Sequence, residues 1–421
     1  MIQRQKLFDT LLKQSKNNKV SLLIGARQVG KTTLIKQLFE ELTKNKKCLF
    51  LDVDILSNYE KVNSYENLLN TLKLNGYDEN QKELYYLFLD EFQKYPSLTK
   101  VMKNVYDNKP NIKIYASGSS SLAIKNQAQE SLAGRKHITE IFPLDFEEFL
   151  IFKGETNLVQ NIHTIKKLSG KGLANSLQNY ERLLEEFMIF GGYPEVVLQK
   201  TKQEKQQTLT NIFDLYVKKD LLDYLNNDKV LNIKRLIEAL AVNNGQKIKY
   251  EELANSSGLN FHAIKKYIEI LSETYLIKEV RPFFTNKNKE LVKIPKVYFI
   301  DNGVKNYFIN NYNPMHLRSD TGFLFEGFMY SELLKQNYRN IKFWNDKNLE
   351  EVDFVLEHSD ELIPIEIKYK KELKASDFSG LKNFLKNYKK IKRAYLVNLD
   401  EKEKINKIHT VLPYRIAKEI S

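Results

Sequence analysis

Short apolar runs alternate with longer amphipathic stretches through the first part of the chain. Four of them, Val20–Ile24, Cys48–Val53, Leu84–Leu89 and Ile112–Ala116, are continuous rather than alternating. Runs of this kind suit strands buried on both faces, and helix-like sequence between them predicts a parallel sheet with crossover helices. Further on the period changes. Helix-compatible sequence covers Asn179–Phe190 and Gln203–Tyr224, separated from each other by the sharp break Gly191-Gly192-Tyr193-Pro194. Between 231 and 285 the spacing predicts a winged helix-turn-helix. A helix over Ile233–Val242 is followed by one that opens at Tyr250-Glu251-Glu252-Leu253-Ala254, then by the turn Ser257-Gly258-Leu259-Asn260. A third helix over His262–Glu273 gathers Ile264, Tyr267, Ile268 and Leu271 on one face, and a wing strand covers Tyr275–Val280. Near the C-terminal end, Glu350–Leu356 and Ile363–Lys368 alternate as strands do, with a gap short enough for a hairpin, and Phe325–Leu334 is helix-like.

The segment joining the first strand to its helix carries the most specific chemistry. Gly25-Ala26-Arg27-Gln28-Val29-Gly30-Lys31-Thr32 fits the phosphate-loop pattern G-x-x-x-x-G-K-[ST] at every defined position. Glycines let the backbone fold around phosphates so that its N–H groups point at the anion. Lys31 is then expected to reach the β- and γ-phosphates of ATP, and the Thr32 hydroxyl to ligate Mg²⁺. The third apolar run ends in Asp90-Glu91, at the ligand-binding edge of such a sheet. Asp90 is the candidate Mg²⁺ residue and Glu91 the candidate base for the attacking water. Gln93 reads as a surface or structural residue, with the positioning of water or of a neighbour as the alternative. The fourth run ends in Ser117-Gly118-Ser119, where Ser117 or Ser119 is a candidate γ-phosphate sensor, with a Ser/Gly-rich turn that carries no chemistry as the alternative. Arg135 is a candidate arginine finger, in cis or across a subunit contact, with a structural role as the alternative. Arg27 is a further cationic candidate.

These motifs resemble AAA-family ATPases of archaea and bacteria. The strings that carry the resemblance are Gly25–Thr33, Leu89-Asp90-Glu91-Phe92-Gln93, Gly118-Ser119-Ser120-Ser121, Gly134-Arg135 and Gly191-Gly192-Tyr193-Pro194. The family carries a C-terminal domain of uncharacterised function with a restriction-endonuclease-like core. The resemblance spans nearly the whole chain. It implies an α/β architecture in four parts: a P-loop ATPase core over 1–155, a helical lid over 156–228, the winged helix-turn-helix over 229–285, and the restriction-endonuclease-like domain over 286–421. The acid of a helix, Glu326, the strand acid Asp353, and Glu366-x-Lys368 on the next strand resemble the catalytic core of such nucleases. In that resemblance Asp353 and Glu366 ligate Mg²⁺, Lys368 orients water, and Glu326 is an auxiliary ligand. A set of exposed strand charges that pair with one another is the alternative.

Composition changes this picture in a few places. Lys and Arg number 66 against 53 Asp and Glu, a formal net charge of +13. That suits a polyanion such as DNA, and equally a lysine-rich solvated surface. His262, Lys265 and Lys266 lie off the apolar face of the third helix, where phosphates or bases would meet them. A second basic cluster, Lys370, Lys371, Lys374, Lys382, Lys386, Lys389, Lys390, Lys392 and Arg393, is interleaved with Tyr369 and Tyr388. Trp344 reads as a core residue. No run approaches the ~18 consecutive apolar residues of a membrane span, and Met1–Lys6 lacks the apolar core of a secretory signal. Cys48 is the only cysteine and the six histidines are scattered, which fits a reducing cytoplasm. The sequence suits an ATPase coupled to DNA, alone or as a homo-oligomer, and alternatively an ATPase switch or scaffold whose nuclease-like domain is inactive and binds protein partners. A small-molecule phosphotransferase lacks any evident acceptor pocket.

Overall fold

In the computed structural model, which describes residues 2–119, 131–164, 170–216, 230–347, 350–358, 361–389, 391–400, 404–405 and 407–420, the continuous apolar runs are strands of one parallel sheet. By their contacts the residues divide into two units, Met1–Phe142 with Glu273–Tyr275 and Pro143–Ser272 with Leu276–Ser421. The first unit holds β1 (Val20–Gly25), β2 (Cys48–Asp52), β3 (Tyr85–Asp90), β4 (Ile112–Ser119) and β5 (Lys136–Ile141), in the order β2-β3-β4-β1-β5. β4 therefore lies between β1 and β3. β1 and β3 are buried along their whole length, as unbroken apolar strands require. β5 has no such run. Lys-His-Ile-Thr-Glu-Ile alternates, and this strand pairs only with β1, at the sheet's edge.

One face of the sheet packs Tyr85, Leu87 and Leu89 against Leu68 and Leu72 of the helix Tyr65–Leu74 and Val101, Met102 and Val105 of the helix Leu98–Asn108. Burying each of these large apolar side chains contributes roughly 1.5–3 kcal/mol relative to exposure. The helix that follows the loop runs over Lys31–Thr43, three residues longer at its start than its apolar residues predict. It buries Leu34, Ile35, Leu38 and Leu42 at three- and four-residue spacing. A lysine also lies inside this sheet. Lys113 on β4 is fully buried, donates to the Lys19 carbonyl and to Ser21 Oγ at 2.9 Å, and sits 4.9 Å from the centre of the Tyr115 ring. Burial pushes its amine down to about 7.

The second unit contains two sheets. β6 (Ile277–Val280) and β7 (Lys296–Phe299) form an antiparallel pair. β8 (Ile341–Asn345), β9 (Glu351–His358), β10 (Glu361–Ile367), β11 (Ala394–Val397), β12 (Lys404–Ile405) and β13 (Ile408–Val411) form a mixed sheet in the order β12-β13-β11-β10-β9-β8. β9 and β10 make the expected hairpin, with Phe354 opposite Ile365. Trp344 is buried beside Phe384, in a core with Val352, Val355 and Leu396. Ahead of β6 come helices over Val230–Val242, Tyr250–Ser257 and Phe261–Glu273. β6 begins two residues later than the alternation suggests, because Tyr275 adopts φ +61°, which ends the preceding helix rather than extending a strand. Of the helical stretch expected over Gln203–Tyr224, the structure gives a helix over Lys202–Tyr216; residues 217–224 lie outside the described residues.

The break at Gly191-Gly192 has a tertiary cause. Gly191 has φ +75°, and a Cβ there would fall 1.9 Å from Asp301 Oδ1. Gly192 N–H donates to Asp301 Oδ2 at 2.7 Å, and Val304 N–H donates to Oδ1 at 3.2 Å, where Asp301 caps the helix Asn302–Phe308. A buried carboxylate is thus satisfied by backbone amides from two distant segments.

The charge state of Lys113 gives a pH prediction. An unfolded lysine keeps its proton to about 10.5, whereas the folded one releases it near 7. The unfolded chain binds more protons between those values, so this group makes the first unit more stable as pH rises through that window. In urea melts, the parent is expected to gain stability relative to Lys113→Met between pH 7 and pH 9. A difference that stays constant with pH contradicts this.

Candidate nucleotide site and acidic cluster

The phosphate loop leaves the C-terminal end of β1. It turns through two left-handed residues, Gln28 at φ +59° and Gly30 at φ +95°. Gly25 is required by a close approach: a Cβ would meet the Ile141 carbonyl oxygen at 2.1 Å. Thr32 and Thr33 lie in the first turn of the helix Lys31–Thr43, whose free N–H groups and dipole favour an anion. Lys31 is buried, and its ammonium donates to the carbonyls of Gly25 at 3.1 Å and Ala26 at 2.6 Å, folded over the loop. Arg4, also buried, braces the loop from outside. It donates to the Val29 carbonyl at 3.1 Å and to the Phe142 carbonyl at 2.7 Å.

The neighbouring strand ends complete the site. Ser119 is paired across from Gly25, and Ser117 across from Leu23. The buried Asp90 at the end of β3 accepts a hydrogen bond from the Ser117 hydroxyl and from Glu91 N–H at 3.2 Å, both on Oδ1. Glu91 itself has φ +58°. A non-glycine residue in that region costs on the order of 1–3 kcal/mol, and such strain concentrates at functional sites. Gln93 holds the result in place. Its Nε2 donates to Glu91 Oε2, and its Oε1 accepts from Ser119 N–H at 3.1 Å, so the acid after β3 and the end of β4 are tied through one side chain. Hydroxyl and carboxylate oxygens from Thr32 and Asp90 are the donor types a hard divalent cation takes, and Mg²⁺ fits this set.

Arg135 is not part of this constellation. Its carbonyl accepts from Val20 N–H at the start of β1, so it lies about 16 Å of strand from the loop at the other end of β1. Its guanidinium pairs with Asp107 at 2.6 Å. The expectation of a finger acting in cis is not met; the pairing with Asp107 suits the structural alternative, and a contribution across a subunit contact is the other role compatible with this position.

In the second unit the hairpin brings Asp353 and Glu366 onto adjacent strands. Asp353 Oδ2 accepts from Ile367 N–H at 2.7 Å, and Glu366 Oε1 accepts from Lys368 Nζ at 2.5 Å. Glu326, in the helix Thr321–Lys335, faces the same cluster. Burial, then the charges of Glu366 and Glu326, push Asp353 well above the usual carboxylate range. Burial raises Glu366 to about 7 despite Lys368. Burial opposes the charge on Lys368, but Glu366 and Asp353 hold its amine above the ordinary value. Glu366 Oε2 is buried with no hydrogen-bond partner among the described residues. An orphaned carboxylate oxygen in a crowded acidic cluster fits a divalent cation, although among the described residues no three His, Cys, Asp or Glu side chains already converge as a metal site. One member of the cluster was not foreseen. Lys296 on β7 pairs with Glu326 at 3.2 Å and with Glu351, and Tyr298 donates to the same Glu326 oxygen.

The basic surfaces differ in how free they are. His262, Lys265 and Lys266 are exposed on the helix Phe261–Glu273, with Lys265 4.4 Å from the centre of the Phe261 ring. In the later cluster Lys370 is paired with Asp377, Lys371 with Glu181, and Arg393 with the Glu419 and Ile420 carbonyls. Lys390 lies outside the described residues. No helix among the described residues is long and apolar enough to cross a membrane.

Comparison with known proteins gives three family matches along the chain. Residues 17–150 match the family described as an AAA domain. The first unit thus carries an AAA-type P-loop domain. Residues 181–314 and 321–417 match two families described as domains of unknown function, DUF8612 and DUF4143. The chain is 28% identical over 351 residues to the uncharacterized protein MJ1544 of Methanocaldococcus jannaschii, covering 80% of this chain and 72% of the relative. It is 23% identical over 401 residues to an uncharacterized protein of Haemophilus influenzae, covering 93% of this chain and 92% of the relative. Among solved structures, the Walker-type ATPase PABY2304 of Pyrococcus abyssi aligns with a TM-score of 0.49 at 16% identity, over 73% of this chain and 96% of that one.

Within the AAA domain, Gln93 stands out as the residue whose contacts exceed its sequence signal. The geometry makes it a positioning residue for Glu91. Gln93→Ala is expected to lower kcat for ATP about tenfold with KM within about twofold, while Glu91→Gln keeps ATP binding and loses on the order of 10²–10⁴ in turnover. Steady-state ATPase assays check both; wild-type turnover in Glu91→Gln removes the base assignment.

Proposed function

We propose that the protein binds and hydrolyses Mg·ATP in its AAA domain and couples that cycle to DNA binding or processing by the second unit. The observation that carries the first half is the row of strand ends bearing Gly25, Ser119, Asp90 and Glu91 beside Lys31 at a helix N-terminus. In this reading Lys31 leaves the loop carbonyls for the β- and γ-phosphates, and Thr32 and Asp90 hold the cation, which neutralises phosphate charge. Glu91, steadied by Gln93, orients and deprotonates water. Ser119 is the better placed γ-phosphate sensor, because the Ser117 hydroxyl is engaged by Asp90. Arg27 and the loop amides Ala26 to Gly30 complete the phosphate contacts.

DNA coupling is supported by the exposed row His262, Lys265 and Lys266 on the third of three short helices followed by the β6–β7 pair. We read that arrangement as a winged helix-turn-helix, and the β8–β13 sheet with Asp353, Glu366 and Lys368 as a restriction-endonuclease-like domain. A specific observation favours the second reading, of an ATPase switch whose nuclease-like domain is inactive and binds protein. Lys296 already supplies a positive charge inside the acidic cluster.

Two measurements decide between them. If DNA is the partner, duplex or single-stranded DNA raises ATP turnover, and log K for DNA falls against log salt by about 0.9 per phosphate contacted. No binding to either at low salt rejects DNA coupling. If the second unit cleaves, Mg²⁺-dependent nicking disappears in Asp353→Ala and Lys368→Ala; equal background in all three favours the switch.

A further inference from the structure

Lys296 reaches the acidic cluster from β7, a strand that belongs to the two-stranded β6–β7 sheet rather than to the sheet carrying Asp353 and Glu366. Its side chain is 7% exposed, so its ammonium cannot swing into water without dismantling the packing around it. The ammonium pairs with Glu326 Oε1 at 3.2 Å and with Glu351. Tyr298 stands two residues along, on the same face of the strand, and its hydroxyl donates to the same Glu326 oxygen. That oxygen therefore faces both an ammonium and a phenol, and a divalent cation placed against it would confront a fixed positive charge in a dry site. The other end of the cluster is different. Glu366 Oε2 is buried and unpartnered among the described residues, while Asp353 spends Oδ2 on a backbone amide. Lys368 answers Glu366 Oε1 there, but its side chain is 31% exposed against 7% for Lys296, so the ammonium at this end can move aside while the one at the other end is fixed.

We infer that Lys296 is the resident cation of the Glu326–Glu351 end, so that a divalent ion taken up here is single and lies at the Asp353–Glu366 end. This rests on reading Asp353 and Glu366 as a cation site, and it takes Glu326 out of the ligand set and makes it the partner of Lys296 and Tyr298. Lys296 is then a positioning and charge-setting residue, supplied by a chain segment that no hairpin motif would select.

The test is Mn²⁺ binding to chelator-stripped, nucleotide-free full-length protein, followed by electron paramagnetic resonance. The Mn²⁺ lost in Asp353→Ala defines the ion at the cluster. A single ion is expected in the parent, unaltered in number and within about twofold in affinity in Glu326→Gln. Lys296→Met, if it folds by circular dichroism, is expected to take up a second ion. Two cluster ions in the parent, or loss of the ion in Glu326→Gln, overturns the inference while leaving the cation site itself standing. No Mn²⁺ dependent on Asp353 in the parent removes both.

Discussion

Parallel strands all end on one edge of their sheet, and that constraint makes the N-terminal unit a site. Because β4 is inserted between β1 and β3, a single edge presents Gly25, then Ser117 and Ser119, then Asp90 and Glu91. Each comes from a different stretch of sequence, and none would be near the others in another strand order. The apolar interiors of β1 and β3 keep those ends in register, and the left-handed Glu91 is tied to the end of β4 by Gln93 and to Asp90 by its own N–H. The backbone of the loop is fixed in the same spirit, by Arg4 on one carbonyl and by a glycine where β5 leaves no room for a Cβ.

Three of the molecule's buried charged sites are met differently, and each suggests a different purpose. Asp301 is met by the backbone amides of Gly192 and Val304 and joins two segments far apart in sequence, which is a structural task. Lys113 has carbonyl and hydroxyl acceptors but no acid, so its charge is a cost that pH can remove. The cluster around Asp353 has more carboxylates than lysines and leaves an oxygen unanswered. A fully paired network would have no such remainder. An incomplete one is the mark of a place meant for something else.

Local signals were legible in sequence and long-range ones were not. The loop, the Asp90-Glu91 pair and the four apolar strands could be read because each is specified by neighbours along the chain, although β2, at the sheet's edge, is mostly half-buried. The hairpin of β9 and β10 was legible from alternation alone. β5 escaped because Lys-His-Ile-Thr-Glu-Ile alternates and has no apolar run, unlike the other edge strand, β2. Gln93 looked like a surface residue because its partners are the left-handed Glu91 and the distant Ser119 amide. Lys296 stands 30 positions from Glu326, and nothing in Lys-Val-Tyr-Phe announces which acids its strand will face. For Arg135 the sequence left a catalytic and a structural role open, and the chain direction, which puts it at the far end of β1, removes the catalytic role in cis.

The account stands on the claim that the amino-terminal loop grips a nucleoside triphosphate through Lys31. Titration calorimetry of Mg·ATP into the full-length protein measures this directly. Saturable one-site binding is expected, weakened by at least about tenfold in Lys31→Ala, the cost of losing a charge-assisted contact to phosphate. Absence of saturation with folded protein, or equal affinity in the variant, would contradict it.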